Sequence, residues 1–117
     1  MALAVHRHTL GNEHPDTLGS INNLANLLAN QGMLGEAEPL FRTALAARRR
    51  TLGDEHPSTL DTLFNLALLL WAQGNTSEAL DLFRQELDAV RRVLGEVHPR
   101  TQTSLRNYTI KLAALNK

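Results

Sequence analysis

Thr51-Leu52-Gly53-Asp54-Glu55-His56-Pro57 has close copies on both sides, at residues 9–15 and 93–99, so that the three segments begin a constant 42 residues apart. About half of the positions in 17–58 recur at the same offset in 59–100. A fixed period between 20 and 50 residues is the mark of a solenoid, in which each unit buries its apolar face only against its neighbours. The segment also has the composition of a boundary. Its glycine suits the position just past a helix end, and its proline brings the fixed φ that suits the first position of the next helix.

Outward from each boundary the apolar residues fall at helical spacing. Leu18, Ile21, Leu24, Ala25 and Leu28 make one face after Pro15, ending at Gln31-Gly32. A second helix over 34–52 presents Ala37, Leu40, Phe41, Ala44 and Leu45, with Pro39 in its early turns where one hydrogen bond is lost. The pair recurs as Leu60, Leu63, Leu66, Ala67 and Leu70, then Ala79, Leu82, Phe83, Leu87 and Val90, broken at Gln73-Gly74. A further helix of the first type follows from Arg100 with Leu105, Tyr108 and Leu112.

The expected fold is therefore an all-α helix-turn-helix solenoid of about two and a half repeats in one domain, 1–117. Residues 1–11 read as the tail of a preceding repeat helix, 15–53 as repeat 1, 57–95 as repeat 2 and 99–117 as a last first-type helix. Thr109 and Lys111 replace Ala25/Ala67 and Leu27/Leu69, so that this last helix reads as a polar cap.

Composition narrows the function classes. The 117 residues balance twelve basic against twelve acidic side chains, which gives no global field for nucleic acid or an anionic membrane surface. There is no cysteine, hence no disulfide and no thiolate metal site or nucleophile. The longest mostly apolar run, 66–72, is far short of the roughly 18–20 residues that span a bilayer. A cytoplasmic protein without cofactor, metal or membrane contact is expected. No phosphate-cradling glycine motif and no supported Ser-His-Asp set occurs, so an enzyme is not expected.

Small residues at the helix crossings, glycine after the first helix, and Glu-Ala and Leu-Phe in the second resemble tetratricopeptide (TPR) repeats, whose usual period is 34 residues. The longer period, with Asn-Asn-Leu-Ala at 22–25, Gln-Gly at 31–32, Glu-Ala-Glu-Pro-Leu at 36–40 and Leu-Gly-x-x-His-Pro in each loop, is similar to the kinesin-light-chain subclass. That resemblance implies a right-handed superhelix and a protein-interaction scaffold whose first-type helices line a concave groove for an extended peptide. Carried over by position, it places Asn22, Phe64 and Arg106 on the groove, then Asn26, Leu68 and Ile110, with Asn30 and Trp71 further along and Asp61 and Thr103 nearer the helix starts. Asn22 matches the family's peptide-contacting asparagine; Phe64 and Arg106 depart from it.

Phe64, Leu68 and Trp71 also stand at i, i+4 and i+7, a second apolar stripe on a helix whose core stripe is already complete. Such a stripe accepts apolar side chains of a partner, or is covered by a further repeat or another copy of the chain. Arg106 beside it offers a bidentate fork to a partner's carboxylate, or is an ordinary solvated charge. Asn23, Asn65 and Asn107 form an identical column, read as hydrogen bonds between adjacent repeats or into the preceding loop rather than a ladder on a ligand. His14, His56 and His98 read as loop structure, because stacked repeats hold equivalents about 8–10 Å apart, too far to share one metal ion. Arg48, Arg49, Arg50, Arg91 and Arg92 gather at the C-terminal ends of the second helices, where cations suit the helix dipole, and lack interleaved aromatics for nucleic-acid stacking. The partner expected is a protein or peptide with apolar and acidic side chains. The alternatives are a self-associating or structural piece of a longer array, or the regulatory arm of a signalling ATPase.

Overall fold

The computed structural model describes residues 15–116. These form five helices and no strand: α1 (Pro15–Asn30), α2 (Leu34–Leu52), α3 (Pro57–Ala72), α4 (Thr76–Leu94) and α5 (Pro99–Leu115). Each packs on the next in sequence, and α1 also touches α3 across the array. The expected helix tail over 2–10 and the loop histidine His14 lie outside the described residues.

The boundary motif works as a two-sided switch of direction. Gly53 and Gly95 cap α2 and α4, their amides donating to the carbonyls of Arg49 and Arg91. Three residues later the Nδ1 atoms of His56 and His98 accept from the amides of Ser58 and Arg100 at 3.0 and 3.1 Å. Both histidines have the extended backbone that a following proline requires, and Pro57 and Pro99 fill the first helical position, where no amide is needed. Because His98 caps, the last helix opens at Pro99.

Within each repeat the turn is a Schellman motif. Met33 donates to the Leu28 carbonyl at 2.9 Å and Gly32 to Ala29 at 3.0 Å; Asn75 and Gly74 do the same to Leu70 and Trp71. Gly32 and Gly74 have φ of +82° and +86°, the left-handed region that glycine enters without a Cβ penalty.

Ala25, Ala37, Ala67 and Ala79 are fully buried where helices cross, letting the backbones approach. Phe41 and Phe83, equivalent in the two repeats, fill the space beside them. Leu18 and Ile21 with Ala44 and Ala47 make a smaller cluster between α1 and α2. α2 continues through Pro39, whose ring is exposed.

Candidate functional site

α1 packs against α3 beside a cleft that α5 reaches from α4. This cleft, of about 400 Å³, is lined by Asn22 of α1, Asp61, Phe64 and Asn65 of α3, Glu86 of α4, and Arg100, Thr103 and Ser104 of α5. A smaller cleft of about 190 Å³ lies between α1 and α3, with Asn26, Asn30 and Leu68 on its walls and Phe41 among its lining. Asn65 belongs to both, so the two clefts are neighbours along one face.

The floor of the larger cleft carries a charge that the apolar pattern of α4 would not place there. Glu86 stands among Leu82, Phe83, Leu87 and Val90 and is only 2% exposed. Ser104 Oγ donates to its Oε2 at 3.0 Å, and Arg100 Nη2 lies 3.4 Å from the same oxygen. Burial pushes this carboxyl above the usual carboxylate range, and the hydroxyl and the guanidinium pull it back only in part. Arg100 bridges onward, its Nη1 2.9 Å from Asp61 Oδ1 at the rim. A second polar chain stands alongside: Arg48 donates to Thr62 Oγ1 at 2.7 Å and to the Ser58 carbonyl at 3.2 Å, while Thr62 Oγ1 lies 3.3 Å from Asn22 Oδ1. Burial lowers the Arg48 pKa, with nearby Asp61 opposing.

Of the residues expected on the groove, Asn22, Asp61, Phe64 and Thr103 share the larger cleft, and Asn26, Asn30 and Leu68 the smaller one. The stripe is not uniformly open. Leu68 is 40% exposed, whereas Phe64 and Trp71 are half-buried against the core. Phe64 meets Phe83 edge to face at 5.5 Å, and Lys111 Nζ lies 5.2 Å above the Trp71 ring. Arg106 and Ile110 are exposed and line neither cleft. Arg106 has no partner among the described residues.

Glu86, Arg100 and Ser104 are the cleft residues that sequence reasoning missed. The signal was a break in periodicity, since Glu86 stands where the previous repeat has Ala44, and Arg100 where it has Ser58. The asparagine column does not form a bonded ladder. Asn23 is exposed, Asn65 lines the clefts, and Asn107 Nδ2 is buried without a partner among the described residues. The arginine cluster is internally occupied: Arg49 reaches Gln85 and Asp54, Arg91 pairs with Glu96 and Arg92 with Glu55, while Arg48 turns inward. Arg50 is engaged as well. Among the described residues no group of three or more potential ligands is placed to hold a metal ion.

Comparison with known proteins points one way. The family profile described as tetratricopeptide repeat matches residues 16–92. A solved protein of Podosopora anserina, of kinesin light chain type and built of nearly identical TPR-like repeats, superposes with a TM-score of 0.90 at 31% identity over 97% of this chain. A point variant of it gives 0.89 at the same identity. BtubC (BKLC) from P. vanneervenii, at 19% identity and a TM-score of 0.75 over 98% of this chain, shares the fold. This chain spans 54% of each of these solved chains. A search of curated proteins gives no match.

Proposed function

The chain belongs to the tetratricopeptide repeat family, with repeats of the kinesin-light-chain-like kind, and from this premise we propose that its concave face holds an extended segment of a protein partner. Arrays of this fold generally act as protein–protein interaction scaffolds without catalysis. The observation that carries the peptide reading is the pair of adjoining clefts along α1, α3 and α5, which combine apolar surface at Phe64 and Leu68 with amides at Asn22, Asn26 and Asn65. Apolar side chains give area, and amides that both donate and accept suit an extended backbone. A partner with apolar side chains over Leu68 and an acidic group near exposed Arg106 fits this face. Among the described residues no helix is long and apolar enough to cross a membrane, and a cytoplasmic setting is part of the same proposal.

Leu68→Glu tests the reading. Degenerate dodecapeptide pools titrated against Trp71 fluorescence should bind the wild type, and the variant should bind about tenfold more weakly with an unchanged melting temperature, because a charge is set on an exposed apolar wall. Equal affinity in the variant would remove this face as the site.

A second reading has its own observation. Leu27 is 53% exposed whereas its equivalent Leu69 is 3% exposed, and Leu112 is 40% exposed against 1% for Leu70. Leu27 and Leu112 thus present apolar surface that a neighbouring helix buries at the equivalent positions, which favours a longer array or one that stacks on itself. A mass that rises with concentration in light scattering, and falls back in Leu112→Lys, is the outcome this reading requires.

A further inference from the structure

We propose that the larger cleft receives a lysine or arginine side chain of the extended partner segment, held between Asp61 and Glu86. The inference rests on the groove reading above and names a chemistry for one position of its occupant.

The argument is one of unused hydrogen-bonding capacity. Both contacts made by Glu86, from Ser104 and from Arg100, reach Oε2. Its Oε1 has no partner among the described residues, although the side chain is almost wholly buried and forms part of the cleft wall. That oxygen is not sealed from solvent, so a ligand's cationic donor reaches it by displacing water and adds a charge-assisted hydrogen bond. Asp61 engages Arg100 through Oδ1 and is otherwise exposed, so its second oxygen is also open to the cleft rim. The cations nearby are spent: Arg100 spans the two carboxylates, and Arg48 is turned to the Ser58 carbonyl and the Thr62 hydroxyl. The spare capacity that carries charge is therefore acceptor capacity. Phe64 stands on the same wall and offers a ring to the alkyl stem or the cationic head of an entering side chain. A volume of about 400 Å³ exceeds what one such side chain fills, leaving Asn22 and Asn65 beside it for the backbone. A ligand carboxylate, by contrast, would meet the two carboxylates of Asp61 and Glu86 against the single Arg100 guanidinium that they already share, a net repulsion.

The test uses the full chain and three degenerate dodecapeptide pools that differ only in a fixed central residue: lysine or arginine, norleucine, or glutamate. The basic pool should bind about tenfold more tightly than the norleucine pool, with the glutamate pool weakest. Its advantage should shrink at high salt. Asp61→Asn and Glu86→Gln should each erase most of that advantage and leave the norleucine pool unaffected, an outcome that mere loosening of the fold would not give. Asp61 is exposed and the Glu86 change conserves shape, so both variants should fold, as circular dichroism would verify. Equal binding of the three pools, or preference for glutamate, would overturn the inference and leave the groove reading standing; binding by no pool would overturn both.

Discussion

A single buried carboxyl illustrates how much one residue can depart from its repeat. Ala44 occupies the Glu86 position one repeat earlier and is simply packed. Burial holds the Glu86 carboxyl above its ordinary value of 4.5, so the folded protein takes up this proton more readily than the unfolded chain. The folded state is then favoured most below 4.5, where both forms are protonated, and loses stability as pH rises through the folded value. Glu86→Gln should flatten that part of the curve. Urea melts from pH 4 to 8 should therefore show the wild type losing stability relative to the variant as pH rises; the opposite slope would mean that Ser104 and Arg100 outweigh burial. His56 makes a second residue-scale prediction. Its imidazole caps α3 through Nδ1, and His56→Ala should cost about 1 kcal/mol, with His56→Asn recovering most of it, read as shifts in urea midpoint. The sequence marked these histidines as loop structure, but only the geometry revealed that they are caps. Glu86, Arg100 and Ser104 escaped notice for a related reason. Periodicity marks what repeats, and this cluster is built where the repeats differ.

At the scale of the helix, the sequence was legible almost to the residue over the described residues, because Gly, His-Pro and the alternation of two apolar faces mark the boundaries there. What it left open was which apolar residues stay uncovered. Spacing put Phe64, Leu68 and Trp71 on one stripe, yet whether a ring is covered depends on the neighbouring helix, and α5 lays Lys111 over Trp71 while Phe83 of α4 meets Phe64. Phe64→Ala is thus a packing change as well as a groove change. Glycines offer the sharper test of element geometry. No neighbour stands within 4 Å of the Cβ that alanine would add at either Gly74 or Gly19. Gly74→Ala should nonetheless destabilise by about 1 kcal/mol, since its φ is +86°. Gly19→Ala, inside α1, should stabilise by roughly 0.5–1 kcal/mol through helix propensity and a less flexible unfolded chain. Paired thermal melts moving in opposite directions would verify both.

Over the whole molecule, the repeat arithmetic sets the helices in register, and the register creates a groove face of first-type helices and an outer face of second-type helices. The outer face is laced by Arg42 to Glu38 and Glu78 and by Arg92 to Glu55, solvated pairs that contribute little stability but engage those two arginines. The groove face keeps its amides, one exposed leucine and a half-satisfied carboxylate. Backbone amide chemical shifts, followed by NMR while the tightest-binding peptide pool is added, test this division most directly. Shifts concentrated along the groove, at Asn22, Asn26, Asp61, Asn65, Leu68 and Thr103, are the predicted result. Shifts confined to the outer face, around Arg42, Arg49, Gln85 and Arg92, would contradict it.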